Sequence, residues 1–349
     1  MNTLAVVTRN RYVESIHQGY ICVVDAAGKV LYQRGDTGTS IFFRSSAKPI
    51  QVIPFIQSGA AEAMSYSLKE IAIACASHNG EQTHQQTILT ILRRLNLNKT
   101  DLHCGAISPY NEEENKRLIT QGEQPSTLHA SCSGKHTAML AFSKYLGVDI
   151  SHYENISHPV QQEVLKTIAE FTDQDVKSIP TGIDGCGLPI YMLPIDKIAL
   201  AYARLTSYAN DEKSNWHHTC NTIFDAMTTY PDMVAGTGEF CTELMQATKG
   251  KLIGKIGAEA VYCLGIRKGN MGVCIKIADG NERAVYSVVM QLLLELDVLD
   301  NIGYEKLKHW HTPDLMNNHK EHIGNIVPVF QKDVAIGLGD QLEKHGYLP

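Results

Sequence analysis

A serine and a lysine three positions apart, Ser45 and Lys48, lie where a short apolar run gives way to a helical pattern, within residues 42–51. Residues three apart on a helix share a face, so the lysine amine can lie beside the serine hydroxyl. A lysine that is partly removed from water loses its proton more easily, and its neutral amine can then accept the serine proton and make the oxygen a nucleophile. The spacing therefore predicts acyl transfer, the hydrolysis of an amide or an ester. Ser46 is a rival nucleophile, but on a helix it would face away from Lys48.

Two further motifs follow along the chain. Ser77 and Asn79 belong to a Ser-x-Asn motif, and Lys255 and Gly257 belong to a Lys-x-Gly motif. Penicillin-binding proteins and serine β-lactamases carry Ser-x-x-Lys, Ser-Asp-Asn and Lys-Thr-Gly in this chain order. The same order occurs here, with one position changed in each of the last two motifs, which indicates a site built on the same plan.

Two cysteines form a second candidate site. Cys132 lies in HASCSGKH, residues 129–136, and Cys186 lies in GIDGCGLP, residues 182–189. Thiolates and an imidazole are ordinary zinc ligands, so chemistry alone suggests zinc held by Cys132, Cys186 and His136. The alternative is that both cysteines are small buried apolar residues, since free cysteine is usually buried and the chain has no Cys-x-x-Cys pair.

The composition of the 349 residues fits a folded, soluble enzyme, because 44% are hydrophobic and 19% are charged. A net charge of −6 without a basic block argues against nucleic acid as a partner. No apolar run reaches membrane-spanning length, and the N-terminus lacks the pattern of a secretory signal. Nine cysteines without an export signal predict reduced thiols in a cytoplasmic protein.

The elements that must position these residues are a sheet and a set of helices. Strand patterns near both ends predict an α/β (α+β) fold with one antiparallel sheet, built from residues 1–46 and 250–349 and flanked by helices. Residues 47–249 are predicted to form a largely helical inserted region, with the active site in the cleft between the two regions. A hairpin is predicted at 20–32, and strands at 40–43, 258–266, 272–277, 327–330 and 334–337. Helices are predicted at 68–77, 83–95, 135–146, 159–171, 194–207, 216–227 and 284–296.

Four blocks together resemble the rhizobial-type (class 3) L-asparaginases: RSSAKP, CASHNGE, HASCSGKH and GIDGCGLP, in the family's order. The resemblance extends from about residue 24 to residue 276 and beyond. It implies a fold similar to that of serine β-lactamases and glutaminases. It also implies hydrolysis of L-asparagine to L-aspartate and ammonia, and assembly as a homodimer.

By motif, the resemblance implies two catalytic pairs, Ser45 with Lys48 and Ser77 with Lys255. In the mechanism expected from it, the Ser45 hydroxyl attacks the side-chain amide of asparagine and Lys48 removes its proton, helped by the second pair. Water then hydrolyses the acyl-enzyme.

The resemblance also implies zinc near the active site, held by Cys132, Lys135 and Cys186. Lysine is not among the usual ligands of zinc, so the resemblance rather than chemistry assigns Lys135 to the metal. A zinc-bound amine must be unprotonated, which requires a large decrease of its pKa. Whether turnover needs this zinc stays open.

Asparagine carries an α-carboxylate and an α-ammonium, which need partners of opposite charge. Arg44, next to Ser45, is the candidate partner of the carboxylate, because a guanidinium can donate two parallel hydrogen bonds. Asp184 is the candidate partner of the ammonium. His136 and Asn79 complete the predicted substrate-binding residues.

Three other functions remain open from the sequence. A glutaminase or another β-lactamase-like serine hydrolase would use the same site on a different amide. A non-enzymatic protein that binds an amino acid or senses zinc would bind asparagine without turnover. A mononuclear zinc hydrolase would lose all activity when its metal is chelated.

Overall fold

Two antiparallel sheets contain the strands of residues 1–330. The structure is a computed structural model that describes residues 1–330. Its strands are β1 (Asn2–Arg9), β2 (Tyr12–Val24), β3 (Val30–Arg34), β4 (Ser40–Phe42), β5 (Thr181–Ile183), β6 (Pro189–Pro194), β7 (Leu252–Gly257), β8 (Val261–Ile266), β9 (Met271–Ile277), β10 (Asp314–Met316) and β11 (His322–Pro328). The larger sheet has the order β10-β11-β1-β2-β9-β8-β7, with β3 paired to β2, and the smaller sheet has the order β4-β6-β5.

The larger sheet joins the two ends of the described chain. The first part of β2 pairs with β1, and its last part pairs with β9, from Gly19 opposite Ile277 to Val24 opposite Gly272. Strand β1 pairs in turn with β11. The predicted antiparallel sheet of N-terminal and C-terminal strands is therefore confirmed. The hairpin predicted at 20–32 is confirmed by the pairing of β2 with β3.

Most helices lie between the strands that form this sheet. They are α1 (Lys48–Gln57), α2 (Ala60–Ala63), α3 (Leu68–Ala74), α4 (Gln82–Arg94), α5 (Glu112–Gln121), α6 (Ser133–Tyr145), α7 (Pro159–Thr172), α8 (Ile195–Asn210), α9 (His217–Thr229), α10 (Pro231–Val234), α11 (Phe240–Thr248), α12 (Val285–Glu295) and α13 (Asn301–His311). The seven predicted helices correspond to α3, α4, α6, α7, α8, α9 and α12. Sequence reasoning missed α5, because only Glu114 and Leu118 of that helix are buried and its apolar periodicity is weak.

One expectation about the strands needs correction, and the largely helical central region contains two strands that the sequence did not predict. Strands β5 and β6 pair with each other, and β6 pairs with β4. Strand β5 has only three residues, too few for an alternating pattern to be visible. The strand predicted at 258–266 begins only at Val261, because Glu259 and Ala260 have φ of 66° and 54° and form the turn after β7. The strand predicted at 334–337 and the rest of residues 331–349 lie outside the described residues.

The centre of the larger sheet is enclosed by helices. Every residue of β8 is buried, so both faces of the sheet are covered there, and α8 and α12 each contact β8 and β9. This burial explains why β8 reads as a continuous apolar run rather than an alternating one. At Gly272 of β9 the α8 backbone comes so close that a Cβ atom would lie 1.9 Å from the Ala199 oxygen. Within residues 1–330, no helix has the length and apolar character needed to span a membrane.

Candidate active site

A sharp strand-to-helix turn presents Ser45. Strand β4 ends at Phe42, a short 3-10 helix (Arg44–Ala47) follows, and α1 begins at Lys48. Arg44, immediately before Ser45, has φ of 51°, a left-handed conformation that is uncommon outside glycine. Strand β7 lies against this turn at Gly257, where a Cβ atom would lie 3.0 Å from the backbone nitrogen of Ser46. The Ser46 hydroxyl, the rival nucleophile, donates to the Phe43 carbonyl at 2.5 Å and is buried.

Backbone hydrogen bonds fix the position of Ser77, which follows the C-terminal end of α3. The Ser77 N–H donates to the Val234 carbonyl at 2.9 Å, and the Asn79 N–H donates to the Ala235 carbonyl at 2.8 Å. The start of α6 packs closely against α3, because Gly134 has no side chain and a Cβ there would lie 2.2 Å from the Ile73 oxygen. The segment that carries Ser77 is therefore held from two sides.

Two buried lysine amines converge on the Ser77 hydroxyl. Lys48 Nζ donates to Ser77 Oγ at 3.0 Å, and Lys255 Nζ donates to the same oxygen at 2.8 Å. Neither lysine is exposed to solvent. Lys48 Nζ also donates to the Ala76 carbonyl and, at 3.4 Å, to the Ser131 carbonyl. In the described part of the chain Lys48 forms no hydrogen bond with Ser45, so the pairing of these two residues stays a prediction.

The Lys255 amine has the properties of a base near neutral pH. Its burial, together with the positive charge of Lys48, lowers the pKa of Lys255 from 10.5 to about 7. A substantial fraction of this amine is therefore neutral at pH 7 and can accept a proton from the hydroxyl that it contacts. The structure thus brings Ser77 and Lys255 together, as the motifs predicted.

Both serines face one cavity of about 380 Å³, a volume that suits a small molecule. Its lining residues are Ser45, Ser77, Asn79, Tyr110, Ser131, Ala235, Glu239, Ile256, Ala258, Glu282 and Tyr286. Asn79, predicted to bind substrate, is among them. Its side-chain amide donates to Glu81 Oε1 at 3.0 Å, and the same Glu81 oxygen accepts from the Thr237 N–H at 2.8 Å. Sequence reasoning missed Glu239 and Glu282, because they come from separate segments and belong to no motif.

Arg44 and Asp184, predicted to bind opposite ends of the substrate, contact each other. Arg44 Nη2 lies 3.1 Å from Asp184 Oδ1, and the Asp184 side chain is 9% exposed. Neither residue lines the cavity that contains the two serines. Their roles toward substrate stay predictions, and the structure places them beside the cysteine site.

His136 lies in the core rather than in the cavity. Its Nδ1 lies 2.5 Å from the Tyr153 hydroxyl, and its buried Nε2 has no hydrogen-bond partner within residues 1–330. Burial, aided by the charges of Lys135 and Lys48, holds the pKa of His136 well below its usual range, so the ring is neutral. The structure does not bring this predicted substrate-binding residue to the serines.

Cys132 and Cys186 come together, with Asp184 as an additional neighbour. The two sulfur atoms and a carboxylate oxygen of Asp184 all lie within 4.8 Å of one another. His136, the third ligand suggested by chemistry alone, is not part of this group. Asp184 could have been found from its position two residues before Cys186 in the same loop.

The charges around the two thiols favour one thiolate. The hydrogen bond from Cys186, helped by the positive charges of Lys48 and Lys135, holds the pKa of Cys132 well below its usual value, although burial opposes this. That same hydrogen bond and burial raise the pKa of Cys186. Burial alone would lower the pKa of Lys135, but the charges of Cys186, Cys132 and Asp184 outweigh it and raise the pKa. Two cysteine sulfurs, one already favoured as a thiolate, with a carboxylate beside them, fit zinc.

Comparison with known proteins identifies one family. The family model described as L-asparaginase II matches residues 5–328. Among curated proteins, none matches the sequence. A solved structure from Bacteroides dorei DSM 17855, provisionally described as a β-lactamase, is similar with a TM-score of 0.42 and 12% identity, covering 79% of this chain and 93% of that one. A structure described as a β-lactamase from Mycobacterium bovis is similar with a TM-score of 0.39 and 13% identity, covering 84% of this chain and 95% of that one.

Proposed function

This chain belongs to the L-asparaginase II family and is an asparagine amidohydrolase, and we propose that it cleaves the amide with a serine nucleophile that a lysine amine activates. The resemblance read from four sequence blocks is thereby confirmed at the level of the family. One observation carries the proposed chemistry: two buried lysine amines donate hydrogen bonds to the Ser77 hydroxyl, which faces the cavity.

The proposed reaction uses Lys255 as the base. Its neutral amine takes the hydroxyl proton of Ser77 while the oxygen attacks the side-chain amide carbon of asparagine. The protonated amine then gives that proton to the leaving nitrogen, which departs as ammonia and leaves an aspartyl ester on the serine. Water attacks the ester, the amine takes one proton from it, and that proton returns to the serine oxygen as aspartate leaves. Lys48 remains hydrogen-bonded to Ser77 Oγ and keeps Lys255 easy to deprotonate.

Ser45 is a second candidate nucleophile, as the sequence predicted. It lines the same cavity as Ser77, at the turn before α1. In this alternative Ser77 passes the proton between Ser45 and the two lysines. The two assignments predict different sites for the covalent aspartyl group.

We also propose a zinc site beside the serine cavity. The metal would be held by Cys132, Cys186, Asp184 and Lys135. Lys135 can bind it only after its amine has lost its proton. A bound zinc ion would supply a Lewis acid that neutralises nearby thiolate charge and attracts a substrate carboxylate. Location in the cytoplasm stays a prediction from the sequence, and assembly as a homodimer stays an expectation from the family resemblance.

The test measures ammonia released from L-asparagine and from L-glutamine by the wild type and by Ser77→Ala and Ser45→Ala. We expect asparagine to be preferred and Ser77→Ala to lose on the order of 10³-fold or more in kcat, because removing a nucleophile abolishes the covalent route. Faster release from glutamine would instead support the glutaminase alternative.

A diazoketone analogue of asparagine, followed by peptide mass spectrometry, identifies the labelled serine in the same samples. Label on Ser77 supports the first assignment. Label on Ser45 instead, together with loss of turnover in Ser45→Ala, would show that Ser45 is the nucleophile and would overturn the assignment of Ser77.

A further inference from the structure

Two carboxylates face the cavity of the serines from separate segments. Glu239 lies immediately before α11 and is half-buried, and Glu282 begins a short 3-10 helix (Glu282–Ala284) at the more exposed rim. Within residues 1–330 neither carboxylate forms an ion pair with a lysine, an arginine or a histidine. The cavity therefore has negative charge that the protein itself does not neutralise by direct contact.

The two glutamates that are buried within residues 1–330 do have such partners. Glu70 pairs with Arg94 at 2.9 Å, and Glu114 pairs with Arg117 at 2.9 Å. A carboxylate that is partly buried without a cation is costly, so it is usually paired. Glu239 has no cation beside it among the residues that the structure describes. Its burial raises its pKa; a hydrogen bond with the Asn79 side chain opposes this shift, and the negative charges of Glu81 and Glu282 add to it.

Among residues 1–330, the side chains that line the cavity also include no cation. Lys255, whose charge acts on Glu282, is already hydrogen-bonded to Ser77 and to the Ile256 carbonyl. Asparagine brings one cation into this space, its α-ammonium. Asp184, the residue that the sequence suggested for that ammonium, already has its charge compensated by Arg44.

We propose that Glu239, with Glu282 at the rim, holds the α-ammonium of the substrate and makes the cavity selective for amides that carry a primary amine. This inference rests on the proposed function, since the serine hydroxyls in the same cavity define where the amide reacts. The two carboxylates are specificity-determining residues in it. They contact the part of the substrate that does not react, so their removal acts on binding more than on chemistry.

The test compares L-asparagine with succinamate, which is asparagine without its α-amine. We expect Glu239→Gln to lower kcat/KM for asparagine by on the order of 10-fold to 100-fold, mainly through KM, because a hydrogen bond to a charged group is lost. Succinamate lacks the ammonium that Glu239 would contact, so its kcat/KM should change by no more than about twofold. Glu282→Gln should act in the same direction with a smaller effect, because Glu282 is more exposed.

Glu113→Gln is the matched control. Glu113 lies on the first turn of α5 and lines a neighbouring pocket of about 880 Å³. This pocket shares Asn79, Tyr110 and Glu239 with the cavity of the two serines. The control removes the same charge nearby. It should change kcat/KM for neither substrate by more than about twofold, as is usual for surface substitutions. If Glu239→Gln lowers kcat/KM equally for both substrates, the residue has a structural role. If it leaves kcat/KM for asparagine unchanged, the ammonium binds elsewhere. Either result overturns the proposal.

A binding measurement separates this proposal from the proposed function. If the wild type releases no ammonia from asparagine, the proposed function fails, and calorimetric titration of Ser77→Ala with asparagine and succinamate still tests the carboxylates. Tighter binding of asparagine that Glu239→Gln abolishes would support the ammonium subsite. Equal affinity for the two ligands would overturn it.

Discussion

Two buried lysines of this protein, Lys255 and Lys135, have pKa values that move in opposite directions. Burial pushes both pKa values down. At Lys255 the charge of Lys48 acts in the same direction, and the pKa is lowered to about 7. At Lys135 the charges of Cys186, Cys132 and Asp184 outweigh burial, and the pKa is raised. Burial alone therefore does not decide whether a buried lysine can act as a base. The sign of the charges beside it decides this.

This difference separates two kinds of site that lie next to each other. The amine of Lys255 can exchange a proton with Ser77 near neutral pH, which suits acid–base catalysis. The amine of Lys135 is a fixed positive charge beside sulfur, which suits a thiolate or, after loss of its proton, a metal. Lys48 connects the two sites, because it contacts both Ser77 Oγ and the Ser131 carbonyl next to Cys132.

Substitution of the two lysines by methionine tests the comparison most strongly. Lys255→Met should lose about 10²–10⁴-fold in kcat, because the base is removed while an apolar chain of similar size stays. Lys135→Met should lose less than about tenfold in kcat, because no bond-breaking step uses this amine. The measurement is ammonia release by both variants, with circular dichroism to compare their folding. Activity of Lys255→Met within tenfold of the wild type would refute its role as the base.

The pH dependence of kcat/KM sharpens the comparison. Because Lys255 must be neutral to accept a proton and its pKa is lowered to about 7, the rate should rise with pH and level off above about 7. Below that pH it should fall about tenfold per unit, as the neutral fraction does. Lys48→Met removes the positive charge that helps to lower the pKa of Lys255. The midpoint of the pH profile of kcat/KM should therefore move to higher pH, even if the rate is low.

Lys144→Met, an exposed change in the last turn of α6, is the control and should leave the midpoint where it is. A rate that is independent of pH between 5 and 8 would contradict the assignment of Lys255 as the base.

Removal of zinc should have the smallest effect. If the serine does the chemistry, a chelator should reduce turnover by less than about tenfold while metal analysis shows the ion is gone, since no bond-breaking step needs the metal. Cys186→Ser and Asp184→Asn should weaken zinc binding by at least about 10–100-fold. Cys220→Ala, a change at a buried cysteine of α9, should not.

The opposite result has a specific meaning. Complete loss of turnover with the chelator, restored by added zinc, would support the mononuclear zinc hydrolase and would remove the contrast between the two lysines.

The amino-acid sequence was sufficient to predict features that depend on residues close together along the chain. Amphipathic periodicity predicted α4, α6 and α7 to within a few residues, because a helix repeats its buried face every three to four positions. The first two motifs contain Ser45, Ser77 and Asn79, which line one cavity in the structure. The apolar runs near both ends predicted the antiparallel sheet.

Only the tertiary structure decided which of these residues contact one another. Lys48 contacts Ser77, 29 positions away, and Lys255 contacts it from 178 positions away, whereas Ser45 is three positions from Lys48 without a hydrogen bond to it. The contact of Arg44 with Asp184 and the entry of Glu239 into the cavity likewise join separate segments. Local patterns report what one turn or one strand can bury. Contacts between distant segments, and the pKa values that follow from them, exist only after the sheet and the helices have packed together.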